Sequence, residues 1–402
     1  MNRWNEHIFT AELPYEKDAA VTRYLVENFH KVDDFVMSLG QMSNIPPSRL
    51  FQYENGKLVS EVTYIKNNYN ASGLILYFYY IPKALLTVTY DLCRSFKRIN
   101  FTCDIFFAQH FLPAFVAVIL KKAGILKCNK IIFWMFDFFL IPPQITRSLY
   151  YRGIDLIQKF IRTNVDEMWY TTPRLAETDE INFGKLPDSV TKKITNGCFF
   201  ERIPVKLTQK IRPVKLAFLG SLRPNNAIFE SIDSVAYCLE KGINVELHII
   251  GSGPYESKLK EYVKKKKISS SVIFYGFVDD GKKIAMILSK CHLGFALYSA
   301  DAYGPNWFLT SGKFRRFVSQ GLPIIATPVP YFAKYIYDYN AGFVIDNDPK
   351  EVYKCIKMVY DNPGILKTMK KGVDRLYMDY NTNVVFKKAF TSLTSDINSE
   401  QI

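Results

Sequence analysis

The seven cysteines stand singly at 93, 103, 128, 198, 238, 291 and 355, and no two form a Cys-x-x-Cys pair. That spacing offers neither a zinc ligand set nor a disulfide framework. Such dispersion suits a reducing cytosol. Histidine is scarcer still, with five in 402 residues. No G-x-G-x-x-G follows an apolar run, which argues against a dinucleotide site, and the stretch SGKF lacks the spacing of a nucleoside-triphosphate P-loop. The opening MNRWNEHIFTAELPYEKD has no positive-then-apolar layout, so no signal peptide is expected. Long apolar runs are missing too. The most apolar one, GLILYFYYIPKALLTVTYDL at 73–92, is split by Pro82 and Lys83 into pieces too short to span a bilayer. Negative charge is also in deficit: 38 acidic against 52 basic residues leave +14. That balance favours an anionic partner, whether nucleotide, nucleic acid or acidic membrane surface. The basic residues are dispersed, and the run KKKK at 264–267 reads as a solvated helix face, so no nucleic-acid partner is expected.

What the chain does have is apolar content (48%) and aromatics, 26 Tyr and 31 Phe. Two or three domains can each bury a core. In the carboxyl-terminal half, short β-branched or aromatic runs recur: VKLAFLGSL (214–222), INVELHIIGSGP (243–254), SVIFYGFV (271–278), LGFALYS (293–299) and LPIIATPVP (322–330). Helical-period segments such as AIFESIDSVAYCLEKG separate them. Strands alternating with helices imply a parallel, doubly wound sheet. The amino-terminal half repeats the pattern, with strands expected at 5–12, 33–40, 103–110, 129–137 and 166–172 and a helix at 18–31. The fold class is therefore α/β, with a domain at 1–205, a second at 206–380 and a polar helix or tail at 381–402. Ligands of such sheets bind beyond the carboxyl ends of the strands, so two facing domains would form a cleft lined by those loops.

Several loop residues are candidates for chemistry. In GSLRPNN, Gly220 allows close backbone approach, Ser221 follows it, and Arg223 can reach a diphosphate; an ordinary turn with a solvated arginine reads equally well. Gly251 and Gly253 of GSGP make a tight turn against which something packs. His110 ends a strand and could hydrogen-bond a substrate hydroxyl or phosphate, or be a satisfied polar residue at a domain edge. Asp137, in WMFDFF, could bind acceptor hydroxyls or cap a helix. The stretch YGPNWFLTSGKFRRFVSQGLPIIATPVPYF (303–332) places Lys313, Arg315 and Arg316 at the start of a helix, where cations oppose the dipole. They make sense there if an anion sits at that end.

The order FLGSLRP, LHIIGSGP, VIFYGFV, LGFALYS, SGKFRRFVSQGLPIIATPVP, AGFVID resembles the carboxyl-terminal domain of GT-B glycosyltransferases, specifically the "group 1" retaining enzymes of glycosyltransferase family 4. DIFFAQH and NGCFFERIP fit more loosely. The resemblance implies two Rossmann-like domains facing a central cleft, with a nucleotide-sugar donor held mainly by the second. In the family's diphosphate loop a cation pair is usual; here those positions read Ser221 and Asn226, with Arg223 as the nearby cation. DAYG stands where the family has Glu-x-Phe-Gly, which gives Asp301 the first acidic role; the second acidic position falls at Arg316. An insertion, Pro305–Phe308, separates the two.

The function expected is transfer of a sugar from a UDP- or GDP-linked donor to a hydroxyl, with retention, in cell-surface polysaccharide or glycoconjugate synthesis. Ser311, Gly312 and Lys313 would hold the donor diphosphate, and Arg316 would pair with Asp301 or add a phosphate contact. No metal or other cofactor is expected. Segment 73–98, with Lys83, Arg94, Lys97 and Arg98, and the later FDFFLIPPQITRSLYYR suit an anionic membrane surface. A lipid-linked glycan is then the simplest acceptor, and the inner face of the cell membrane the expected location. The glutamate absent at Arg316 motivates a second reading, a catalytically impaired scaffold of a glycan-assembly complex.

Overall fold

The computed structural model describes residues 3–13, 20–38, 46–64, 81–136, 149–200, 202–203, 205, 211–299, 305–308 and 311–399. The chain divides into two units, Met1–Asn196 with Phe386–Ile402, and Gly197–Val385. Among the described residues no helix is long and apolar enough to cross a membrane.

Unit 1 is built on an eight-stranded sheet of β1 (Trp4–Glu12), β2 (Phe29–Val36), β3 (Arg49–Glu54), β4 (Lys57–Thr63), β5 (Thr102–Ala108), β6 (Lys127–Met135), β7 (Glu167–Tyr170) and β8 (Thr191–Lys193). Their order is β4-β3-β2-β1-β5-β6-β7-β8. Helices α1 (Ala20–Asn28), α2 (Ile81–Arg98), α3 (Phe111–Lys122), α4 (Leu149–Arg162) and α5 (Pro173–Phe183) connect them. The central strands are parallel and read as continuous apolar runs because both faces are covered; Ile8–Glu12 and Ile131–Met135 are buried without alternation. α5 starts where Thr172 accepts a hydrogen bond from the Leu175 N–H and Pro173 fills the first helical position.

Three departures from the sequence reading have local causes. The helix expected at 18–31 stops at Asn28, because Phe29 is drawn into the core against Trp4 and Phe390 and opens β2. The strand expected at 33–40 therefore starts earlier and ends at Val36. The sheet is also mixed, since β2, β3 and β4 pair antiparallel. The β3–β4 turn is Asn55-Gly56, both at positive φ, which is the tight hairpin connection that Asn-Gly favours.

Unit 2 holds a six-stranded parallel sheet, ordered β11-β10-β9-β12-β13-β14. Its strands are β9 (Val214–Leu219), β10 (Val245–Ile250), β11 (Val272–Phe274), β12 (Leu293–Ala296), β13 (Ile324–Ala326) and β14 (Gly342–Val344). The helices are α6 (Ile228–Glu240), α7 (Glu256–Lys265), α8 (Gly281–Leu288), α9 (Pro305–Phe308), α10 (Gly312–Gln320), α11 (Ala333–Asp338), α12 (Pro349–Asp361) and α13 (Gly364–Tyr380). Two apolar clusters sandwich the sheet. One joins Leu216, Phe218 and Phe295 to Ile232 and Ile356; the other joins Ala217, Ile250 and Ala296 to Phe317 and Val373. The chain reverses its winding direction between β9 and β12, so a crevice opens beyond their carboxyl ends.

The last helix, α14 (Thr382–Ser399), is no fraying tail. Phe386, Ala389, Phe390 and Leu393 lie in the core of unit 1, with Phe390 against Trp4, Tyr24, Phe29, Phe107 and Trp169. Polar residues such as Lys387, Lys388 and Thr391 hide this stripe from a reading by composition. The first boundary, Asn196/Gly197, likewise precedes the expected 205/206. Replacing Phe390 by Ala should destabilise unit 1 by about 3–5 kcal/mol, read as a lowered denaturant midpoint, whereas Thr391→Ala on the exposed face should leave it within about 0.5 kcal/mol.

Candidate functional site

The crevice of unit 2 is made by the ends of β9 and β10 and by the stretch from β12 to α10. At its floor the backbone of Gly220 (φ 137°) passes directly over Gly251 (φ 142°). A Cβ on Gly251 would lie 1.9 Å from the Gly220 carbonyl oxygen, and one on Gly253 would lie 2.7 Å from the Leu222 nitrogen and oxygen. The Leu222 N–H donates to the Ser252 carbonyl at 3.1 Å. The two glycine turns are thus packed on each other, and the partner that excludes side chains at Gly251 and Gly253 is the neighbouring loop.

Above them sits Lys313, in the first turn of α10 and 7% exposed. Its chain runs past Gly220, whose added Cβ would be 3.7 Å from the lysine Cε. The ammonium lies 4.7 Å from the ring centroid of Phe218 and 4.3 Å from that of Tyr298. The amine Nζ finds no hydrogen-bond partner among the described residues. Burial lowers its pKa to about 7, because desolvation disfavours the charged form. Ser311, at the N-cap position, makes no side-chain cap, since the Tyr298 hydroxyl donates to its Oγ. The leading N–H groups of α10 therefore lack a side-chain acceptor. A buried cation and an uncapped helix N-terminus next to each other form a place where an anion gains on both counts.

The other cations of this helix go elsewhere. Arg315 lies 5.7 Å from the Phe199 centroid and 5.9 Å from that of Phe200, and Arg316 lies 3.9 Å above Phe200. The two rings are themselves 4.1 Å apart. An Nη of Arg316 would be 3.7 Å from a Cβ on Gly281, so the guanidinium runs toward the start of α8. Arg316 thus lies over Phe200, while Lys313 is the cation of the trio whose chain runs past Gly220 at the start of α10. Gly312 is exposed beside it. Arg223 is exposed at the start of the single turn Pro224–Asn226, and Asn226 donates to the Ser221 carbonyl at 2.8 Å. Asp301 and Asp137 lie outside the described residues.

The insertion Pro305–Phe308 noted in the sequence forms the helix α9, whose anchoring the sequence did not announce. Asn306, 5% exposed, donates to the Asn225 carbonyl at 3.1 Å, and Ser299 Oγ donates to the Pro224 carbonyl at 3.3 Å. The insertion is pinned to the loop after β9 by hydrogen bonds that no local sequence signal announces.

In unit 1 the corresponding reversal falls between β1 and β5, where Glu12, Gln109 and His110 meet. Gln109 donates to Thr10 Oγ1 at 3.2 Å and to the buried Glu12 carboxylate at 3.1 Å, which also accepts from Thr22 Oγ1. His110 caps α3: its Nδ1 accepts from the Leu112 N–H at 3.2 Å. An accepting Nδ1 places the proton on Nε2. Desolvation of the ring holds the imidazole pKa well below its usual range. His110 is therefore a neutral donor at physiological pH and is unsuited to act as a base. Among the described residues no three His, Cys, Asp or Glu side chains converge as metal ligands.

Residues 213–362 match the family model "Glycosyl transferases group 1". No curated protein sequence matches the chain. Solved structures match over nearly its whole length. Sucrose-phosphate synthase from Thermosynechococcus elongatus superposes with a TM-score of 0.67 at 14% identity, covering 97% of this chain and 100% of that one. Anabaena HepE in complex with UDP gives 0.64 at 13%, covering 97% and 100%. The lipopolysaccharide outer core galactosyltransferase WaaB gives 0.57 at 14%, covering 95% and 99%. At such identities these likenesses establish the fold, GT-B, and the family match is to residues 213–362, a group 1 glycosyltransferase domain.

Proposed function

We propose that the protein moves a sugar, with retention, from a UDP- or GDP-linked donor to a hydroxyl of a lipid-linked glycan at the inner face of the cell membrane, in cell-surface polysaccharide or glycoconjugate synthesis. The observation that carries the donor half is the buried ammonium of Lys313, without a hydrogen-bond partner among the described residues, beside a start of α10 that the Ser311 side chain does not cap. A diphosphate answers both. The UDP complex of HepE and the galactosyltransferase description of WaaB point the same way, each for its own protein.

In this reading the bond between the sugar's anomeric carbon and the diphosphate oxygen breaks while the acceptor oxygen attacks the same face. Lys313 and the α10 N–H groups stabilise the charge gathering on the leaving diphosphate. The acceptor proton passes to a leaving phosphate oxygen, so no protein base is required. His110 donates from Nε2 to an oxygen of the donor. Asp137 positions the acceptor hydroxyl, Asp301 binds the donor sugar, and Gly220, Ser221 and Arg223 line the diphosphate loop. No metal or other cofactor takes part. The second reading, an impaired scaffold, draws support from Arg316, which stacks on Phe200 where the resemblance places a carboxylate. Measurable turnover of a nucleotide sugar would dismiss it.

Four measurements bear on the first reading. Lys313→Ala should weaken UDP or GDP binding by about 1.5–3 kcal/mol in calorimetry; unchanged affinity would remove the assignment. Because the free amine loses its proton near pH 7 and a bound anion raises that pKa, binding at about pH 8 should take up a proton. Calorimetry in buffers of different ionisation heat reads this directly, and the uptake should vanish in Lys313→Ala. His110→Ala should lower kcat about 100-fold. Nitrogen-15 spectra should show its ring neutral and protonated on Nε2 from about pH 5 to 8. The unfolded chain binds that proton near 6.5 while the folded one does not, so the stability involved is lost as pH falls below about 6.5.

A further inference from the structure

On unit 1, α3 packs between α2 and α4. The side of this layer turned to solvent has an unusual composition. Along α2, Leu86 is 72% and Tyr90 63% exposed, and the same stripe continues through Arg94 and Lys97 at helical spacing. On α4, Leu156 is 69% exposed with Lys159 one turn on. On α3, Ile119 is 43% exposed. The Arg94 guanidinium lies 5.2 Å from the Tyr64 centroid and 5.7 Å from that of Tyr90, so cation and aromatics share one patch. Of the two carboxylates of these helices with described side chains, Asp91 is buried, its pKa raised to about 6 by desolvation, and Asp155 is half-buried. Among the described residues of α2, α3 and α4, then, no acid stands among the exposed side chains.

A single exposed leucine is ordinary. Three adjacent helices that all expose aliphatic or aromatic tips among cations, with no exposed carboxylate among their described residues, are not. The arrangement suits a medium that is apolar just beneath a layer of negative charge. Leu86, Tyr90 and Leu156 can enter the boundary of the acyl region while Arg94, Lys97 and Lys159 reach phosphates at the level of the headgroups. We infer that the outer face of α2, α3 and α4 is the surface by which this protein binds an anionic lipid bilayer. The inference deepens the proposed function, resting on it for the lipid-linked acceptor; the surface chemistry stands on the exposures and charges alone.

The test is sedimentation of the full chain with vesicles of phosphatidylcholine alone or with added phosphatidylglycerol. The wild type should sediment with the anionic vesicles at low salt, stay in solution with the neutral ones, and release at high salt. Arg94→Glu with Lys97→Glu should weaken anionic vesicle binding at least about tenfold. Leu86→Ser with Tyr90→Ser, which leaves the charge unchanged, should also weaken it at low salt. Reversing Lys264 and Lys265, which are exposed on unit 2, should change little. Each variant should keep its circular dichroism and its UDP affinity, which separates failure of the surface from failure of the donor reading. Vesicle binding undiminished by both α2 double variants, or lost equally on reversing Lys264 and Lys265, would overturn the assignment. So would wild-type protein that ignores anionic vesicles at low salt but is captured by a soluble acidic polypeptide.

Discussion

A buried ammonium group without a hydrogen-bond partner is costly, and the architecture of unit 2 is arranged around that cost at Lys313. Desolvation penalises the charge, the positive end of α10 adds to the penalty, and the faces of Phe218 and Tyr298 return part of it through their π-electrons. The lysine can reach this position because Gly220 leaves room beside its chain. Tyr298 is held at the right distance because its hydroxyl binds Ser311 and its backbone N–H binds Thr327 Oγ1 at 3.0 Å. Strand ends, glycine turns and helix start therefore meet at one point in space, the ammonium of Lys313.

The same principle disposes of the remaining charge and of the many aromatics. Arg315 and Arg316 lie over Phe199 and Phe200, and Arg94 lies over Tyr64 and Tyr90. A guanidinium is weakly hydrated and planar, so it stacks on a ring at modest cost. The excess of cations is thereby spread over ring faces and outward surfaces, with Lys313 buried at the start of α10. In unit 1 the aromatics act differently. Phe390 and Phe386 of α14 complete the packing around Trp4, Phe29, Phe107 and Trp169, which makes the carboxyl-terminal helix part of the amino-terminal core.

The sequence by itself determined most of the secondary-structure order. Short β-branched runs that end in Gly, such as VKLAFLG and LHIIG, are legible because strands buried on both faces must be continuously apolar. Their alternation with helices implied a parallel sheet, and hence the edge at which loops gather. The hairpin at Asn55-Gly56 was equally legible in principle, since two residues at positive φ have a recognisable sequence, yet it lay in a stretch too polar to draw notice. Tertiary structure alone decided the rest. Helical spacing could not say which of Lys313, Arg315 and Arg316 points at the crevice, because the choice depends on Phe199 and Phe200, more than a hundred residues away along the chain. The role of Gly251 was hidden for the same reason: its obstacle is the carbonyl of Gly220 on a neighbouring strand. So was the place of α14, whose apolar stripe means nothing until the core it completes has formed. Contacts that are close in space and remote in sequence leave no local pattern, and in this protein they are the ones that set a buried lysine apart from two arginines lying over aromatic rings.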